Sequence, residues 1–209
     1  MKTLSPNRLK LIETMKIAID LNDVVRDYSD NFLKTYLMNY NREYNTENFE
    51  LFTNDMKMVL PFKTNKAYET FTYVDYSYEL FGKCPTCTRD LPIKLKEWLN
   101  AMRDSETESD NEIMFVSPME WGSSIGFSYF FLSKLGCPIR EVYFPIDSST
   151  IWDKCDLLIT ANPMLLQMVP QDKEVIKIQK EYNKEIKADI EHSTLESYIN
   201  DRLALLKDE

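Results

Sequence analysis

Apolar and polar positions fall in blocks along this chain, and the blocks read as strands and helices in turn. Residues 15–20, MKIAID, make a short apolar run closed by polar residues, the pattern of a buried strand. From Asp27 the period lengthens. Phe32, Tyr36 and Tyr40 recur every four residues with Leu33 and Leu37 beside them, which is one apolar helical stripe. Residues 46–90 show no clear period but many rings, and an extended Tyr73–Phe81 stretch would put Tyr76 and Tyr78 on one face. PIKLKEWLNAM (92–102) reads as a helix with Pro92 in its first turn, followed by a polar, acidic linker over 103–112. EIMFVS (112–117) is a second buried strand. A helix then runs from a Ser123 or Ser124 cap to Leu135, with Gly136 as its stop. REVYF (140–144), CDLLIT (155–160) and EVIKI (174–178) are further strands, with a short helix over PMLLQMV. LESYINDRLALL closes the sequence as an amphipathic helix.

Strands alternating with helices predict an α/β fold, a Rossmann-like three-layer arrangement with helices on both faces of a parallel sheet. The stretch between the first two strands is too long for a plain crossover. It reads as an inserted, mainly helical cap over 26–111, leaving 1–25 and 112–209 as the α/β core.

Composition narrows the partners. The 209 residues are 44% hydrophobic, enough for a real core, and carry 34 Asp and Glu against 25 Lys and Arg, a net charge of -9. That balance argues against a nucleic-acid backbone or an anionic membrane surface. No apolar run approaches the roughly 20 residues of a membrane span, and the opening residues lack a clean signal-peptide core, so an intracellular site is expected. The 4 glycines are too few for a phosphate-cradling glycine loop. His192 is the single histidine and reads as a helix-surface residue, which leaves no partner for a Ser-His or Cys-His nucleophile. Cys84 and Cys87 form CPTC, half of a ribbon-type zinc site. Cys137 and Cys155 each precede a strand, at the sheet edge opposite the cap, so a four-cysteine site is not expected.

Candidate chemistry lies where the first strand ends. DLNDVV gives Asp20, Asn22 and Val24; IMFVSP ends a strand in Ser117; DLLITANP ends another in Thr160, Ala161 and Asn162. With the cap after the first strand and KEYNKE after the EVIKI strand, this order resembles the haloacid dehalogenase-like superfamily, most of all its deoxyribonucleotidase-type phosphatases. The resemblance implies Asp20 as nucleophile, attacking phosphorus to form an aspartyl phosphate, Ser117 as a phosphate ligand, a lysine near Ser149 or Thr150, and a magnesium site shared by Asp20 and acids after the DLLI strand. This chain departs from that pattern. Asn22 stands where the family's general acid would be, and an amide has no titratable proton near neutral pH. Asp23 replaces a glycine. Lys154 is out of register, and no acid follows DLLI.

The expected function is therefore a catalytically degenerate member of that superfamily with a structural or interaction role. Other protein chains are its partners, as a component of a viral particle or other large assembly; the richness in Asn, Lys, Tyr and Ile hints at a phage source. Asp20 is then a vestigial nucleophile position, Asn22 a lost acid position, and no cofactor is needed. The rival is a working 5'-nucleotidase-type phosphatase using magnesium. A third reading is a binder of a phosphorylated ligand at Ser117 without turnover. The cap aromatics are expected to supply much of any protein contact.

Overall fold

The computed structural model describes residues 14–40, 51–105, 108, 110–118, 120–137 and 141–206. The opening residues searched for a leader, and 106, 107 and 109 of the acidic linker, lie outside them.

Six strands form one parallel sheet: β1 (Lys16–Asp20), β2 (Glu112–Val116), β3 (Glu141–Tyr143), β4 (Leu157–Thr160), β5 (Glu174–Ile178) and β6 (Ile190–His192), in the order β3-β2-β1-β4-β5-β6. The first five are those the hydrophobic runs predict. β6 was not expected. Its IEH sequence has no apolar run, and backbone pairing with β5 rather than burial holds it. His192 accordingly ends a strand instead of lying on a helix, 3.7 Å from Asp201.

The helices are α1 (Tyr28–Tyr40), α2 (Met56–Val59), α3 (Asn65–Thr70), α4 (Leu91–Asp104), α5 (Ser123–Leu135), α6 (Pro163–Gln167) and α7 (Leu195–Leu205). Alternation along the strands sorts the core into two layers. Ile17, Ile19, Phe115, Leu157, Ile159 and Ile176 face α4, α5 and α7. Ala18, Met114, Val116 and Leu158 face the other way, onto Ile151 and Trp152 of a 3-10 turn and Leu165 of α6. Gly136 stops α5 at φ 62°, a left-handed angle glycine adopts without penalty. The start of α5 differs from expectation. Gly122 is its cap, while the Ser124 hydroxyl turns back to the Trp121 carbonyl.

A second hydrophobic cluster belongs to the insertion: Tyr28, Phe32, Tyr36, Phe62, Phe71 and Phe81 meet ring to ring, with Tyr73 and Tyr76 packed against them. Residues 71–82 are not extended. Phe71–Asp75 and Tyr78–Gly82 are wide π-helical segments, so Tyr76 and Tyr78 share no strand face. α4, within the stretch read as the insertion, buries Leu91, Leu95, Trp98 and Met102 in the main core. The larger exposed rings of the described residues are Tyr40 and Phe52 in the insertion and Trp121, Tyr129 and Phe130 at and on α5.

Candidate functional site at the strand ends

From β1 the chain departs to β2 on one side and, later, to β4 on the other. This reversal leaves a crevice at the carboxyl end of β1, where folds of this class bind ligands. Asp20 sits there as the last residue of β1 and is 1% exposed. Thr160, at the end of β4, donates its hydroxyl to Asp20 Oδ2 at 2.8 Å, and the Asn22 N–H lies 3.2 Å from Oδ1. Burial pushes the Asp20 carboxyl up to about 7; the Thr160 and Asn22 hydrogen bonds offset only part of that, Asp23 adds to it and Arg26 opposes it.

The turn after β1 depends on Asp23. Its φ of 61° is the left-handed region, which Asp tolerates better than most residues. Its carboxylate accepts the Ser29 N–H at 2.8 Å, the Ser29 hydroxyl, and the Tyr182 hydroxyl at 2.8 Å. Tyr182 comes from the KEYNKE stretch. Its neighbour Asn183, which is fully buried, donates to the Ala161 and Ile178 carbonyls at 2.8 and 2.9 Å and so ties the end of β4 to that of β5.

Ser117 lies just beyond β2 with no exposed surface. Its hydroxyl donates to Glu120 Oε1, and the Arg26 Nη2 group lies 3.2 Å away. Arg26 is itself fully buried and spends its donors in five directions. Nε bonds Asn22 Oδ1 at 2.7 Å, Nη1 reaches the Ser128 hydroxyl at 2.7 Å and the Phe81 carbonyl at 3.4 Å, and Nη2 meets Ser117 and the Glu120 carboxylate. Ser128 returns a bond to Glu120 Oε2 at 2.6 Å. The guanidinium also sits 5.0 Å from the Phe81 ring centroid and 5.8 Å from those of Tyr28 and Phe131. Thus Asn22 holds an arginine, and the polar end of the β2 loop is filled by an internal ion pair.

The remaining motif positions are empty of the expected charge. Ser149 and Thr150 belong to a 3-10 turn, Ser148–Asp153, in which the Thr150 hydroxyl meets the Asp147 carbonyl and Tyr143. Lys154 is exposed, its Nζ 6.0 Å from the Tyr143 ring centroid. Lys177, beside Thr160 in register, points its Nζ to the Ile186 carbonyl and Glu191. Asn162 caps α6 through Met164 N–H. A magnesium ion asks for hard oxygens and at least one or two carboxylates. Asp20 is joined here by a hydroxyl, an alanine and a capping amide, and the described residues hold no cluster of three metal-ligating side chains. This donor set does not fit the ion.

CPTC backs the segment that follows β1: Asp27 N–H bonds the Pro85 carbonyl, and Cys87 N–H the Val25 carbonyl, both at 2.9 Å. Burial pushes the Cys84 thiol up to about 12 and that of Cys87 higher still. Of the site, the sequence supplied Asp20, Asn22, Ser117 and Thr160, but not Arg26, Glu120 or Ser128. A signal for Arg26 does exist in DVVRDY, an arginine set directly after buried valines.

No protein-family model matches this chain, and no curated protein matches it. Solved structures do. A protein described as a haloacid dehalogenase-like hydrolase from Burkholderia xenovorans LB400 superposes with a TM-score of 0.59 at 10% identity, over 92% of this chain and 98% of its own. A haloacid dehalogenase-like family hydrolase from Xanthomonas campestris gives 0.46 at 9% identity, over 93% and 97%. The first shows the fold: a six-stranded parallel sheet with helices, of haloacid dehalogenase-like type.

Proposed function

We propose that this chain keeps the haloacid dehalogenase-like fold without phosphoryl-transfer chemistry, and acts through contacts with other proteins. One observation carries the reading. The Ser117 hydroxyl, which the resemblance would assign to a phosphate, is held by the buried Arg26–Glu120 pair. The Glu120 carboxylate satisfies the donors that an incoming phosphate would need. Removing it would leave a buried guanidinium unpaired, at a cost of about 3–5 kcal/mol. Asp20 adds to this. A carboxyl that burial raises to about 7 is half protonated at neutral pH, and a protonated carboxyl is a poor nucleophile.

Arg26 also joins the insertion to the core, since Phe81 and Tyr28 lie on one side of it and Ser117, Glu120 and Ser128 on the other. An insertion fastened this way does not swing over a substrate. The same fold is free to serve in an assembly, a viral particle among them, that asks only for shape. Tyr40 and Phe52 of the insertion, with Trp121, Tyr129 and Phe130 at and on α5, are the exposed rings suited to anchor such contacts.

The test is turnover of p-nitrophenyl phosphate and nucleoside monophosphates with magnesium present. No activity above the Asp20→Asn variant is expected. Steady turnover abolished by Asp20→Asn would establish the phosphatase reading instead. For the interaction role, the native assembly should bury at least about 1,000 Å² on this chain and its partners together; a monomer in its native source would overturn it.

A further inference from the structure

α5 turns one face to solvent, and that face is made of rings set around a glycine. At about 100° per residue, Gly126 and Ser133 fall in the middle of its exposed arc, with Tyr129 on one flank and Phe130 on the other, 51% and 42% exposed. Trp121, just before the helix, is exposed as well, its ring centroid 4.8 Å from that of Tyr73. Gly126 is the odd member. Glycine inside a helix is less stable than alanine, and nothing lies within 4 Å of the place where its Cβ would stand. Among the described residues of this chain no crowding asks for a glycine there; the close approach of a second backbone would.

Charge is sorted along the same face. At its C-terminal end Lys134 and Lys83 lie over Phe130 and Tyr78, 5.2 and 4.8 Å from the ring centroids, and neither meets an acid among the described residues. At its N-terminal end stands Asp75, exposed, between Tyr73 and Ser77, whose carbonyl and hydroxyl lie 2.7 and 3.3 Å from the Ser123 hydroxyl. The field there is negative: burial, then the charges of Glu120, Glu69 and Asp55, push the Tyr73 hydroxyl up to about 12. A face basic at one end and acidic at the other matches itself about a two-fold axis. An antiparallel pair of α5 helices that sets each Tyr129 over the second copy's Gly126 brings Lys134 of each copy level with Trp121 and Asp75 of the other. Lys134 then gains an indole face and a carboxylate, which offsets the mutual repulsion of two chains of net charge -9. The area suffices. Three rings about half exposed offer roughly 75–125 Å² each, so two copies supply about half of the roughly 1,000 Å² that a specific interface needs, and Val74, Asp75, Lys83 and Lys134 lie exposed around them for the rest. We infer that α5 is the interface between two copies of this chain, packed antiparallel with Tyr129 of each over Gly126 of the other. This rests on the reading that the chain acts through protein contacts, and makes a second copy its first partner.

Sedimentation equilibrium of the full chain tests it. A dimer with a Kd of about 1 µM or tighter is expected. Tyr129→Glu should weaken it at least about tenfold. Gly126→Leu should do the same while raising the melting temperature of the dilute monomer, because leucine is the better helix former; those opposite effects set a lost contact apart from a folding defect. Lys83→Glu/Lys134→Glu should weaken the dimer too, and adding Glu69→Lys/Asp75→Lys should restore most of the loss, since the two ends have then exchanged charge. A purified chain still monomeric at about 100 µM, a hundredfold above the expected Kd, would overturn the inference. So would a dimer that neither Tyr129→Glu nor Gly126→Leu weakens. Neither result touches the wider interaction reading, which is judged on the assembly in the native source.

Discussion

Replacing Asp20 by Asn should stabilise this protein at pH 8 and do little at pH 4. The Asp20 carboxyl stands at an ordinary 3.8 in the unfolded chain and at about 7 in the folded one, chiefly because burial opposes its charge. Below 3.8 it is protonated in both states and contributes no pH dependence. Between 3.8 and 7 the folded state holds a proton that the unfolded state has released. Stability therefore falls as pH rises through this window and levels off above it. At about 1.36 kcal/mol per unit the full loss is about 4 kcal/mol. The new amide keeps the carboxyl's shape and can exchange hydrogen bonds with the Thr160 hydroxyl, which is free to rotate. Urea unfolding of the native chain and of Asp20→Asn at pH 4, 6 and 8 measures the effect. The difference between them should grow with pH toward about 4 kcal/mol, or about 8–16 °C in Tm for a chain of this length. An Asp20→Asn variant less stable than the native chain at pH 8, or one with the same pH profile, would refute the reasoning.

The ion pair should be strongly non-additive: Glu120→Ala and Arg26→Met should each cost about 3–5 kcal/mol in chemical denaturation, and the double variant clearly less than their sum. Asp23→Ala should be worse than Asp23→Gly by about 1 kcal/mol, since both lose the Ser29 and Tyr182 bonds but only alanine strains φ 61°; matched thermal melts decide this. Folded protein at pH 8 should resist iodoacetamide at Cys84 and Cys87, both held as thiols by burial, with rapid alkylation in urea as the control. Elemental analysis of protein prepared without chelator should find well under one zinc per chain; one zinc that is lost in Cys84→Ser would contradict this.

The centre of the sheet was legible because β1, β2, β4 and β5 are largely buried on both faces. IAI, FV and LLI announce themselves as runs, whatever pairs with them. β6 was not legible, since only β5 makes a strand of Ile190–His192, and the sequence holds no trace of that pairing. The ring-rich stretch from Phe71 to Phe81 misled for a related reason. Aromatics suit extended and helical backbones alike, and packing against α1 decided between them. At the site, Asp20, Asn22 and Ser117 were found because they end strands. Arg26 and Glu120 were not, because a charge reads as exposed until its partner is known, and here the two stand 94 positions apart. That no acid follows DLLI was visible; the buried pairing of Arg26 with Glu120 was not.

Those 94 positions also set a schedule. At about 5–20 residues per second, roughly 5–20 s of synthesis separate Arg26 from Glu120. Through that interval the growing chain carries the insertion's rings, most of them between residues 28 and 81, without the groups that fasten it to the core. β1 waits as long for β2, and longer for β4. The insertion is therefore made early and locked late, and the aromatic surface it turns to the core is the one most open to chaperones and proteases while the ribosome is still at work.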